Sequence, residues 1–231
     1  SNISPYITSK FNNFISNDYM RVIIGQTKSS FDFREIMDEG KILLVDLSKG
    51  RIGQLNSNLL GMIIVGKILI SAFSREDIAQ QDRRDFSLYI DEFQNFTTDS
   101  IATILAEARK YGLSIIMAHQ YIAQLEDSIK NAVFGNVGSK ISFRVGAPDA
   151  EALIKEFEPT LTTEDLVSID NFHAYVKLLI NGVTTKPFNI KTLRAPAPDL
   201  KRAQIIKDIS LKKYGRSREE VERDILRRLR N

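Results

Sequence analysis

FSLYIDEFQNF (Phe86–Phe96) and GLSIIMAHQ (Gly112–Gln120) decide the fold. Each opens on a short, nearly continuous apolar run, Phe86–Ile90 and Leu113–Ala118, the mark of a strand covered on both faces. Between them Asp99–Tyr111 carries Ile101, Ile104, Leu105 and Ala108 at helical spacing, and Gly112 stands where a helix stops. Two apolar strands joined by a helix make a βαβ crossover, which requires a parallel sheet. The fold class expected is therefore α/β, a mostly parallel sheet flanked by helices.

A parallel sheet collects its chemistry at the C-terminal ends of its strands. The first strand delivers two adjacent acids there, Asp91 and Glu92, and the second ends in His119-Gln120 on the same edge. Paired carboxylates at such an edge suit a nucleotide-hydrolysing site. One holds Mg²⁺ through water, and the other accepts a proton from the attacking water. Gln120 is placed to sense a phosphate or to orient that water. Arg109, near the end of the intervening helix, belongs to the opposite edge, so it reaches a nucleotide only across a subunit boundary.

Outward from this segment, Lys41–Leu47 (KILLVDL) reads as a third inner strand, Phe31–Met37 as a short helix ending near Gly40, and Ser48–Ser57 as a loop. Asn58–Phe73 reads as a mostly buried helix and Ser74–Asp85 as a polar surface connection. Its apolar run, Leu59–Phe73, falls short of the ~18 residues that span a bilayer, so no transmembrane helix is expected. Lys140–Val145 is a candidate fourth strand, followed by a helix over Asp149–Phe157. Phe172–Leu193 reads as a β-hairpin turning at Asn181-Gly182, on one edge of the sheet. Ser4–Ile15 has helical spacing behind Ser4-Pro5. Ala195–Pro198 is a stiff linker to a basic helical tail. Three segments follow: 1–40, helical; 41–193, the main α/β domain; 194–231, linker and tail.

Composition narrows the function. The 231 residues contain no cysteine and two histidines, which removes disulfides, thiolate zinc and a cysteine nucleophile and disfavours a histidine metal site. The net charge of +3 is uneven: residues 201–231 hold 11 Lys/Arg against 5 Asp/Glu. A basic tail suits a polyanion or an acidic partner surface. Gly50–Gly53 is read as a polar turn, Arg144 as a strand-edge charge, Phe93 and Phe96 as core, and both histidines as structural.

YIDEFQNF (Tyr89–Phe96), EARKYGL (Glu107–Leu113) and MAHQ with YIAQL (Met117–Leu125) together resemble the C-terminal half of the conjugative coupling-protein ATPases, the TraG/TraD-like branch of the HerA–FtsK translocases. The resemblance extends upstream through Ser29–Gly53 and downstream through Ala147–Leu193. It implies a RecA-like P-loop NTPase half that binds ATP and Mg²⁺, in which Asp91 and Glu92 are the Walker B acids, Gln120 a polar sensor and Arg109 an arginine acting in trans. It also implies a hexameric homo-oligomer that moves DNA or a relaxase–DNA complex toward type IV secretion channel proteins. Such a ring sits on the cytoplasmic side of the bacterial inner membrane, held there by a segment outside this chain. Two rivals are a HerA/FtsK-type DNA pump for repair or segregation, and a non-catalytic module that docks relaxosome or channel proteins.

The family's phosphate loop, G-x-x-x-x-G-K-[ST], has one near match, Gly61–Ile68. Its interior is Met-Ile-Ile-Val within an apolar helical run, and its last position is Ile68, which has no hydroxyl for Mg²⁺. A buried helix is expected there instead. The chain starts Ser1-Asn2, which reads as a protease-cleavage scar, so a fragment lacking the phosphate loop, and inactive alone, is the expectation.

Overall fold

The computed structural model describes residues 16–96, 105, 107–122 and 125–230. In chain order the elements are α1 (Asp18–Ile24), α2 (Phe33–Asp38), α3 (Lys49–Ile52), α4 (Gln54–Phe73), β1 (Phe86–Ile90), β2 (Leu113–Met117), α5 (Asp127–Asn136), β3 (Lys140–Ser142), α6 (Ala147–Leu153) and α7 (Thr163–Val167). There follow β4 (His173–Lys177), β5 (Leu179–Ile180), β6 (Val183–Thr184), β7 (Phe188–Lys191), α8 (Leu200–Tyr214) and α9 (Arg218–Leu229). The α/β class holds. Two compact units divide the chain, residues 1–86 with 198–231, and residues 87–197.

In the first unit, Asp32 caps α2 by accepting from the Arg34 and Glu35 amides. The expected strand Lys41–Leu47 is absent. A strand exists only by pairing, and among the described residues nothing pairs with it. The Lys41 amide goes to the Ile36 carbonyl, and the Leu47 carbonyl accepts from Ser57. Ile42 and Leu44 are 88% and 82% exposed. The expected loop at Ser48–Ser57 is instead helical. It holds α3 and the first turn of α4, with Gly53 between them at φ 80°. Burial on α4 is confined to Asn56, Ser57, Gly61, Ile68, Leu69 and Ala72, so the helix is less buried than its composition predicts. With the turn that follows, Gln54–Asp77 is long and apolar enough by length and composition to cross a membrane, a test that core helices of soluble proteins also pass.

Ser74–Asp85 is polar in sequence, yet Arg75 is fully buried. Its guanidinium meets Asp38 at 2.9 Å and donates to the Arg84 carbonyl, while Asp38 also takes Arg34 at 2.5 Å. A carboxylate shared by two arginines ties α2 to the turn after α4. Removing it strands a buried cation. Asp38→Ala is therefore expected to destabilise this unit by about 3 kcal/mol, read as a lowered urea midpoint. A shift below a few tenths of a kcal/mol would mean that Arg75 finds other compensation.

In the second unit, β1 and β2 form a two-stranded sheet. The Ala118 amide donates to the Ile90 carbonyl at 2.9 Å, and the Phe93 amide to the Ala118 carbonyl at 3.1 Å. These bonds join the C-terminal ends of both strands, which only a parallel pair allows. Covering on both faces is not observed, since Tyr89 is 74% exposed. Gly112 stops the preceding turn at φ 69°, as read from the sequence. Most of the expected helix Asp99–Tyr111, including Ile101 and Ile104, lies outside the described residues, as does all of Ser4–Ile15.

The candidate fourth strand exists as β3 but joins a different sheet, the antiparallel order β3-β4-β7. The hairpin, expected on the edge of the parallel sheet, is the body of this second sheet. Its tip, β5 and β6, turns at Asn181 (φ 51°) and Gly182 (φ 81°), the left-handed pair that an Asn-Gly turn demands. A capping box of Thr162 and Asp165 starts α7. Ala150, Phe157, Leu166 and Ile169 form a core beneath α6 and α7, and Asp149, next to Ala150 on α6, is buried as well.

Candidate active site

β1 carries the chain to Ile90, which is buried, and then to Asp91, which is exposed. Glu92 follows in the left-handed region, at φ 51° and ψ 47°. That conformation is disfavoured for a glutamate and marks a position held by its surroundings. The holders are visible. Phe93 is buried, its amide bonded to β2 and its ring edge-on to His119 at 5.1 Å. Asn95 donates both its backbone and side-chain N–H to the Glu92 carbonyl, each at 3.0 Å.

The Glu92 carboxylate is gripped by two amides. Gln94 Nε2 donates to Oε2 at 2.6 Å, and Gln120 Nε2 donates to Oε1. Asp91 Oδ1 accepts the Glu92 backbone N–H at 3.0 Å. The structure thus brings together Asp91, Glu92 and Gln120 on one edge. Arg109 is exposed on the turn Ala108–Tyr111, which enters β2 from its N-terminal end. A five-residue strand at ~3.3 Å per residue separates it from that edge.

Sequence reasoning missed two residues. Gln94 is two positions beyond Glu92, and only the left-handed turn folds it back. Asp149 is buried on the first turn of α6, and its Oδ1 accepts the Ile122 N–H at 3.1 Å. It thereby anchors the segment after Gln120, and no spacing in the sequence announces a contact across 27 residues.

Burial pushes the His119 imidazole below its usual value, against the opposing pull of the Tyr121 backbone, Asp149 and Glu92. A lowered folded value means that protonation favours the unfolded chain. The stability it contributes is present above the unfolded value of 6.5 and is lost as pH falls through the folded value. The urea midpoint of the wild-type chain is therefore expected to fall more between pH 7 and pH 5 than that of His119→Leu. Parallel pH profiles would remove His119 from the account.

The donor set suits Mg²⁺, a hard cation commonly held by one or two carboxylates with water and phosphate oxygens. No group of three or more His, Cys, Asp or Glu able to hold a metal occurs among the described residues, and both Glu92 oxygens already accept amide donors, which leaves Asp91 as the carboxylate that could hold the ion. The near match Gly61–Ile68 lies inside α4. Its amides are spent on helix bonds, and it makes no phosphate cradle. Gly50–Gly53 is a helical turn with its exit, Arg144 donates to Asn171 Oδ1 at 3.0 Å, and His173 Nδ1 bonds Asn189 Oδ1 at 2.9 Å.

No curated protein matches the chain. Among solved structures, the genome packaging NTPase B204 from Sulfolobus turreted icosahedral virus 2, in complex with AMPPCP, is similar at 14% identity and a TM-score of 0.48, over 73% of this chain and 74% of that one. Its complex with ATP-gammaS is similar at 14% identity and a TM-score of 0.47, over 72% and 74%. The resemblance to TraG and TraD read from the sequence is borne out over the segment that builds the site: residues 85–157 match the family described as the TraM recognition site of TraD and TraG.

Proposed function

We propose that this chain supplies the acid half of an ATP-hydrolysing site in a coupling-protein-like motor. The observation that carries the reading is the Glu92 carboxylate, held by two amides at the C-terminal edge of a parallel strand pair on a left-handed backbone. Asp91 is the residue that would hold Mg²⁺, through water. When bound, ATP supplies the phosphoryl group transferred to water and Mg²⁺ offsets the charge on its phosphates. Glu92 takes the proton of the attacking water, and Gln120, bonded to Glu92, orients that water. Arg109 of a neighbouring subunit completes the site. The motor so assembled is a hexameric ring that drives DNA or a relaxase–DNA complex toward a type IV secretion channel, at the cytoplasmic face of the bacterial inner membrane.

The phosphate-binding loop in this account is supplied from outside the 231-residue chain. The purified 231-residue chain is accordingly expected to give no steady ATP turnover. Steady hydrolysis abolished by Glu92→Gln would place the loop within the chain and overturn the half-site.

The family description favours a second role for the same stretch. A match to a TraM recognition site over residues 85–157 supports docking of a relaxosome protein on this unit. The two roles are compatible, since Glu92 and Gln120 occupy one edge of one sheet.

A further inference from the structure

The last helix separates its charges along its length. Near its start, Arg216 meets Glu220 at 2.7 Å and Asp224 at 2.6 Å, and Arg218 meets Glu222 at 2.8 Å. Those carboxylates are thereby engaged. Nearer its end, Arg223, Arg227 and Arg230, all exposed, line an open surface groove of about 340 Å³ together with Leu226. The spacing is i, i+4, i+7, which sets all three on one face.

None of the three makes an ion pair with a carboxylate among the described residues, although, after Arg216, Arg227 helps hold the Asp224 carboxyl below its usual value. Arg223 donates only to the Glu219 backbone carbonyl, at 3.4 Å, and the neighbouring carboxylate, Asp224, is already bonded to Arg216. The helix macrodipole favours cations in the last turn and so accounts for Arg227 and Arg228, but it does not reach Arg223. Like charges at this spacing repel, and an anion in the groove would relieve that repulsion.

We propose that Arg223, Arg227 and Arg230 form a binding site for phosphate-bearing anions. Guanidinium forks match phosphate oxygens two at a time, and three of them along one exposed helix face suit the successive phosphates of a nucleic-acid strand or a discrete polyphosphate. The site shares no residue with the Glu92 edge, so its failure leaves the proposed function standing.

The test is fluorescence anisotropy on the full 231-residue chain with a labelled oligothymidylate 20-mer, and with inorganic tripolyphosphate as competitor. Replacing all three arginines by alanine is expected to weaken oligonucleotide binding at least about tenfold at low salt. It should also flatten the slope of log affinity against log salt by about 2, since each neutralised phosphate of a single strand contributes roughly 0.7. Removing the same charge elsewhere, by Lys201→Ala, Arg202→Ala and Lys207→Ala together, is expected to change affinity less than about threefold. Far-UV circular dichroism checks the fold, and the single reversal Arg227→Glu serves if the triple variant is unfolded. Displacement of the oligonucleotide by tripolyphosphate assigns the site to discrete polyphosphates as well; no displacement assigns it to the strand. Equal losses in both triple variants, an unchanged affinity in the arginine variant, or no binding of either probe by the wild-type chain overturns the site.

Discussion

Arg109→Ala is expected to lower ATP turnover of the assembled ring by about 10³-fold or more, the scale of an arginine finger, while leaving the nucleotide affinity of a single subunit unchanged. The geometry behind this is the direction of the chain. Asp91, Glu92 and Gln120 stand where β1 and β2 end, whereas Arg109 stands where β2 is about to begin. An exposed guanidinium on the far edge has no path to the acids of its own sheet, and a neighbour in a ring can present it to them. Lys110→Ala controls for simple loss of positive charge beside it. A loss of affinity in the isolated Arg109→Ala subunit would place the arginine within its own site.

Glu92→Gln is expected to reduce turnover of the assembled protein by about 10²–10⁴-fold, the range for a lost general base, while nucleotide affinity stays within about threefold. The substitution keeps the shape and removes the proton acceptor. One consequence is specific to this structure. Gln94 and Gln120 both donate to Glu92, and a glutamine there has a single carbonyl oxygen for two donors. One of the two amides must then move to share that oxygen or turn its own oxygen toward the new NH2. Asp91→Ala is expected to weaken Mg²⁺-dependent binding as well, so the two acids separate by affinity. Equal losses of binding would mean that their roles are misassigned.

The parts of the fold legible in the sequence are those that a few local residues determine. Phe86–Ile90 and Leu113–Met117 are strands because a short apolar run bounded by polar residues has few alternatives, and Gly112 and Asn181-Gly182 turn where φ must be positive. Lys41–Leu47 has the same composition and forms no strand, because composition is silent about the neighbour a strand needs. Lys140–Ser142 is a strand whose partner, β4, lies more than thirty residues away in the chain, so its membership of a second sheet was not readable locally. Arg75 hid in a charged stretch that reads as surface, since burying an arginine depends on where Asp38 falls in space.

At the site, the sequence presents the acids and the glutamine, and the structure adds how they are held. The left-handed turn at Glu92, the folded-back Gln94 and the remote Asp149 anchor all depend on tertiary contacts. Each is a feature of position, and none alters the residue pattern that marks the edge.

The central claim is that Glu92 of one subunit and Arg109 of the next act on the same nucleotide, and it is tested most directly by mixing two inactive proteins. Arg109→Ala subunits keep Glu92, and Glu92→Gln subunits keep Arg109. Rings assembled from both contain interfaces at which an intact Glu92 faces an intact Arg109. Steady-state ATP turnover measured across mixing ratios is predicted to rise from near zero in either pure protein to a maximum at intermediate ratios. Mixed rings that stay inactive at every ratio, while wild-type subunits diluted into either mutant retain activity, would contradict it.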